Sequence, residues 1–143
     1  MDPKRILYVD DEEDMRLVVS VCLESDGYRV LTAASVPDAL LIAARELPDV
    51  VITDVMMPGE NGYSLCTKLK RDPATRDIPV IVVTSLDSER EAMQAGASAF
   101  LSKPFEDEDL RAMVRSVLAR EGRGPALPGP EPAANMALPG RES

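Results

Sequence analysis

Short apolar runs alternate with longer amphipathic stretches over residues 1–120. Ile6-Leu7-Tyr8-Val9 is apolar at consecutive positions and predicts a strand. Met15, Val18, Val19, Cys22 and Leu23 then recur at helical spacing within residues 12–26, and Gly27 stops that helix. Residues 28–32 predict a second strand. Ser35 is placed to cap the next helix, with Pro37 in its first turn, an apolar face of Leu40, Leu41 and Ala44, and Pro48 as its stop. Val50-Val51-Ile52-Thr53 predicts a third strand, apolar on both faces. Gly59 and Gly62 mark a loop, Leu65, Cys66 and Leu69 a third helix, and Asp72-Pro73 its break. Residues 80–83 predict a fourth buried strand, followed by a short helix at 87–95 that ends at Gly96. Ala99-Phe100-Leu101 predicts a small fifth strand. The last helix covers 107–120, with Leu110, Met113, Val114, Val117 and Leu118 on its apolar face.

Five strand-then-helix units with near-continuous apolar strands predict an α/β fold: a parallel sheet with helices on both faces. Right-handed crossovers leave few topologies, and the doubly wound, flavodoxin-like strand order 2-1-3-4-5 suits five strands. A barrel would need eight such units. The expected domain is 1–120. The segment 121–143 holds five of the 12 prolines and four of the eight glycines, repeats ALPG, and lacks apolar periodicity, so a disordered tail is expected there. A short docking peptide is the alternative. Twenty-three such residues leave no room for an effector domain, so a stand-alone domain is expected.

Composition narrows the chemistry. The 143 residues include 16 Lys plus Arg and 25 Asp plus Glu, a net charge of −9. That balance argues against direct binding of nucleic acid or an anionic membrane. Zero His excludes Ser-His-Asp and Cys-His machinery, His-ligated zinc and phosphohistidine on this chain. Cys22 and Cys66 lack metal-ligand spacing and sit in apolar helical contexts, which predicts buried free thiols. The first residues do not form a signal peptide, and no apolar run approaches the ~18 residues needed to span a bilayer. A cytoplasmic protein with no membrane insertion is expected.

In a parallel sheet the C-terminal ends of the strands share one edge, where ligands bind. Asp10 and Asp11 follow the first strand, Asp54 the third, Thr84 and Ser85 the fourth, Lys103 and Pro104 the fifth. Glu12, Glu13 and Asp14 suit a helix N-terminus. Asp10, Asp11 and Asp54 are brought together by the topology, and such like charges repel unless a cation joins them. Mg²⁺ takes one or two carboxylates together with phosphate oxygens. A carboxylate at Asp54 can act as nucleophile toward a phosphoryl donor, with Lys103 balancing charge and Thr84 donating a hydrogen bond.

The stretches Ile-Leu-Tyr-Val-Asp-Asp-Glu at 6–12, Asp-Val-Met-Met-Pro-Gly-Glu-Asn-Gly at 54–62, Val-Val-Thr-Ser at 82–85 and Phe-Leu-Ser-Lys-Pro-Phe at 100–105 carry a resemblance. Their ordered set resembles the receiver domain of two-component response regulators, in the CheY-like superfamily. The resemblance covers residues 4–120. It implies that Asp54 is the phosphoacceptor and that Asp11 and Asp54 ligate Mg²⁺, with Asp10 acting near the metal and the backbone carbonyl of Met56 supplying a further oxygen. It implies that Lys103 pairs with the phosphoryl group, that Thr84 and Phe100 form the switch, that Ser85 admits the phosphodonor, and that Lys103-Pro104 is a place for a cis peptide. In one respect the chain departs from the pattern: 11 residues separate Thr84 from Gly96, about a helical turn fewer than in many receivers. The fourth helix should be short or shifted, which bears on the family's usual output face.

The expected function is that of a phosphoacceptor switch. A histidine kinase or phosphotransfer protein supplies the phosphoryl group, and output runs through an unidentified downstream protein. Self-phosphorylation and self-dephosphorylation are its only expected chemistry; it is not an enzyme acting on other substrates. Arg111, Arg115 and Arg120 alternate with acids, and an Asp107–Arg111 pair reads as a solvated face rather than a DNA-binding one. Two alternatives stand: a constitutive receiver-fold scaffold, and a Mg²⁺-dependent phosphohydrolase with an Asp nucleophile. The second fits less well, because haloacid-dehalogenase-type hydrolases show Asp-x-Asp after the first strand.

Overall fold

The computed structural model describes residues 3–84 and 89–122. The elements alternate as β1 (Arg5–Val9), α1 (Glu13–Glu24), β2 (Arg29–Ala33), α2 (Val36–Glu46), β3 (Val50–Asp54), α3 (Gly62–Arg71), β4 (Val80–Thr84), α4 (Glu89–Gln94), β5 (Ala99–Ser102) and α5 (Asp107–Gly122). The strands form one sheet in the order β2-β1-β3-β4-β5, with every pair parallel, as expected. The segment expected to be a disordered tail, 121–143, and Ser85 lie outside the described residues, apart from the end of α5.

The continuous apolar runs are explained by a core on each face of the sheet, because successive strand residues point to opposite sides. Leu7, Val9, Val51, Val80 and Val82 face Ala39, Ala43, Leu65, Leu69 and Ala92 of α2, α3 and α4. Ile6, Tyr8, Ile52, Ile81 and Val83 face Val19, Leu23, Leu110, Val114 and Val117 of α1 and α5. Both cysteines are buried free thiols, and burial pushes the Cys66 thiol up to about 11.

Local signals set the helix ends. The Ser35 hydroxyl accepts from the Asp38 amide at 3.3 Å and caps α2. Asn61, not singled out by the sequence reading, caps α3 by accepting from the Ser64 amide at 2.9 Å. Gly27 and Gly96 adopt φ values of 93° and 99° beyond α1 and α4, a left-handed turn that glycine makes without a Cβ clash. The fourth helix is short, at six residues.

Three details differ from expectation. In α2 the inward residues are Val36, Ala39 and Ala43, while Leu41 is 63% exposed and Ala44 is also exposed. The helix is apolar around most of its circumference, so two faces have helical periodicity, and the alanine stripe wins because it admits close approach to the sheet. In α1 Val18 is exposed, while Val19, Cys22 and Leu23 turn inward. Arg111 does not pair with Asp107 along α5: its Nη2 donates to Ser25 Oγ at 3.1 Å, and its Nε lies 3.7 Å from Asp26 Oδ2. Arg115 also approaches Asp26, at 3.8 Å, so Arg111 and Arg115 of α5 reach across to the turn beyond α1.

Candidate functional site

Strand register places the candidate side chains along one edge. Val9 pairs with Thr53, Asp54 with Val83 and Thr84 with Ser102, so the chain leaves β1, β3, β4 and β5 at a common level. Asp10 continues the ladder by donating its amide to the Ala33 carbonyl at 3.1 Å. Its side chain is 0% exposed, whereas Asp11 is exposed. Asp54 ends β3 and is 6% exposed. Oxygens of Asp10, Asp11 and Asp54 lie within 4.8 Å of one another. Lys103 Nζ is 3.2 Å from Asp54 Oδ1, which also accepts from the Val55 amide at 3.0 Å.

Thr84 is buried at the end of β4, and its carbonyl accepts from the Lys103 amide at 2.8 Å, tying the Lys103 turn to the same edge. The Lys103-Pro104 peptide is cis. Met56 is exposed in the loop after β3. Phe100 stands away from the carboxylates, half-buried on β5 opposite Val82 and packed against the core under α2, α3 and α4.

Burial raises the Asp54 carboxyl above the usual carboxylate range; Lys103 draws it down, and the Asp10 charge pushes it up. The cluster therefore concentrates negative charge that one ammonium group balances only in part. Its donors are carboxylate oxygens without sulfur or imidazole, a set that fits a hard divalent cation such as Mg²⁺ and offers little to softer metals.

Three contributors escaped the sequence reading. Tyr8 is 0% exposed, and its hydroxyl donates to Asp10 Oδ2 at 2.7 Å. Burial first, then the hydrogen bond and charge of Asp10, raise its phenol and keep it a donor. The available signal was its position two residues before Asp10, which puts both side chains on one face of a strand. Arg16 Nη1 donates to the Asp10 carbonyl at 2.8 Å, from the first turn of α1. Gly62 opens α3 directly against β3, where a Cβ would collide with the Asp54 carbonyl oxygen. Its amide donates to the Val55 carbonyl at 3.1 Å, so a glycine read as loop punctuation is a packing requirement beneath the site.

Comparison with known proteins agrees with this geometry. The sequence model of the response regulator receiver domain matches residues 6–115. Response regulator PleD of Caulobacter vibrioides is 48% identical over 116 residues, covering 79% of this chain and 26% of PleD. A response regulator structure from Chloroflexus aurantiacus superposes with a TM-score of 0.79 at 36% identity, covering 82% of this chain and 99% of that one. The receiver domain of sensor histidine kinase PA1611 from Pseudomonas aeruginosa, solved with a magnesium ion coordinated in its active site cleft, gives a TM-score of 0.76 at 30% identity, covering 82% and 98%. The chain spans 26% of PleD and 54% of another curated relative, the phosphate regulon regulator PhoB of Pseudomonas aeruginosa.

Proposed function

The chain belongs to the response regulator receiver domain family of two-component systems, and on that premise we propose that it is a Mg²⁺-dependent phosphoacceptor switch with Asp54 as the acceptor. The observation that carries the reading is a buried Asp54 carboxylate with Lys103 Nζ 3.2 Å from one oxygen and two further aspartates within 4.8 Å. Phosphoryl transfer asks a protein mainly to position oxygens and balance charge, and this edge supplies both.

In the proposed reaction an Asp54 oxygen forms a bond to the phosphorus of a phosphohistidine on a histidine kinase or phosphotransfer protein. The P–N bond breaks, and its electron pair stays on the departing imidazole. Asp10, Asp11, Asp54 and the Met56 carbonyl would hold the Mg²⁺, which when bound neutralises phosphoryl oxygens. Lys103, already beside Asp54, would pair with a phosphoryl oxygen. Thr84, at the end of the neighbouring strand, donates to another, and Phe100 on β5 responds to that change. Output passes to a downstream protein partner in the cytoplasm, with no direct nucleic-acid contact and no membrane insertion. Among the described residues no helix is long and apolar enough to cross a membrane.

The test uses acetyl phosphate as a small donor, whose P–O bond breaks to release acetate. With Mg²⁺ present, intact mass spectrometry should show one added phosphoryl group, absent in Asp54→Asn and without Mg²⁺. No adduct, together with no response to beryllofluoride, would favour a constitutive scaffold. Rapid multiple turnover of varied phosphate esters would favour a hydrolase.

A further inference from the structure

Tyr8 is out of place in its surroundings. It lies on a central strand, 0% exposed, among Ile6, Ile52, Ile81 and Val83. Phenylalanine would fill nearly the same volume without burying a hydroxyl, and a buried hydroxyl is unfavourable unless paired. The partner is two residues on. Side chains at i and i+2 share a face about 7 Å apart, and strand side chains lean along the strand. The Tyr8 hydroxyl thereby reaches Asp10 Oδ2 at 2.7 Å. The other oxygen, Oδ1, accepts from the Glu12 amide at 3.0 Å. The Asp10 backbone is fixed as well, by its amide bond to Ala33 and the Arg16 bond to its carbonyl. Among the described residues Asp10 therefore has one donor on each carboxylate oxygen, and of those two the tyrosine is the side chain.

We propose that Tyr8 is a positioning residue for the cation site: its hydroxyl orients the Asp10 carboxylate toward the space shared with Asp11 and Asp54. The inference rests on the reading of that cluster as a Mg²⁺ site. Partners that orient a metal-binding carboxylate act on affinity through geometry, without touching the metal. The same hydrogen bond makes Tyr8 a reporter. A cation beside Asp10 draws electron density from its oxygens, weakens the acceptor, and shifts the tyrosine absorption edge.

Two measurements test this with MgCl₂ as the only ligand. In the full chain, Tyr8→Phe should weaken Mg²⁺ binding about tenfold by calorimetric titration, whereas Tyr28→Phe should leave it unchanged. The second measurement does not depend on a Tyr8 variant folding. The chain has three tyrosines and no tryptophan, so Tyr28→Phe/Tyr63→Phe leaves Tyr8 as the sole tyrosine chromophore. Its ultraviolet difference spectrum on Mg²⁺ addition should follow the calorimetric isotherm. Unchanged affinity in Tyr8→Phe, or a silent tyrosine spectrum in a chain that binds Mg²⁺, overturns the role of Tyr8 and leaves the metal reading standing. Absence of Mg²⁺ binding in the unsubstituted chain overturns both.

Discussion

At Asp54 burial places a carboxylate where its charge is costly to the fold. The carboxyl is raised from its usual range by desolvation, Lys103 offsets part of that, and Asp10 adds repulsion. A carboxyl raised in the folded state binds its proton more tightly there than in the unfolded chain. Its contribution to stability is therefore intact below the ordinary carboxylate value of 3.8 and is lost as pH rises through the higher folded value. Asp54→Asn should accordingly stabilise the metal-free protein at neutral pH, and the gain should vanish near pH 3. Thermal unfolding in chelator at both pH values checks this. A less stable Asn variant at neutral pH would mean that the Lys103 ion pair outweighs desolvation.

The elements hold the site through their junctions more than through their interiors. At the β3–α3 junction Gly62 sits where any Cβ would meet the Asp54 carbonyl, and its own amide closes on Val55. Backbone cannot give way as a flexible side chain can. Gly62→Ala should therefore lower stability by about 2 kcal/mol or more, measured by urea unfolding, and should slow phosphorylation by displacing Asp54. Gly59→Ala offers the contrast, since no atom lies within 4 Å of a Cβ there and only its φ of 81° opposes the substitution. Equal effects at the two positions would mean that the close approach at Gly62 costs no more than the positive φ at Gly59. The α1–α5 contacts through Asp26, Arg111 and Arg115 are of another kind. They are partly exposed ion pairs at 3.7–3.8 Å, and they join the helices at modest strength.

At the scale of the whole molecule, the net charge of −9 acquires a location. Three acids meet at one sheet edge, and the native state alone assembles them, because Asp10 and Asp11 follow β1 whereas Asp54 ends β3. A cation that binds only the assembled cluster must stabilise the fold by mass action, by about 2.7 kcal/mol at 100 times its dissociation constant. The thermal midpoint should therefore rise steadily with MgCl₂ and return on chelation, with cooperative unfolding retained throughout. Calorimetric scans across a Mg²⁺ series measure this. A midpoint indifferent to Mg²⁺ but not to bulk salt would reduce the cluster to ordinary surface charge.

The sequence alone determined the element order, the parallel sheet and the strand-end positions of Asp10, Asp11, Asp54, Thr84 and Lys103, because strand runs and helix stops are local signals with fixed periods. Which face of α2 turns inward was left to tertiary structure, since a helix apolar around most of its girth offers several solutions and only the shape of the sheet selects the alanine stripe. The same holds for Arg111, whose candidate partner on α5 was visible in the sequence and whose actual partners, Ser25 and Asp26 just beyond α1, were not. Tyr8 and Gly62 show the limit most clearly. One looked like a core residue and the other like a turn residue, and their bearing on the aspartates comes from distances of a few ångströms between groups, distances that exist only once the strands and helices have packed.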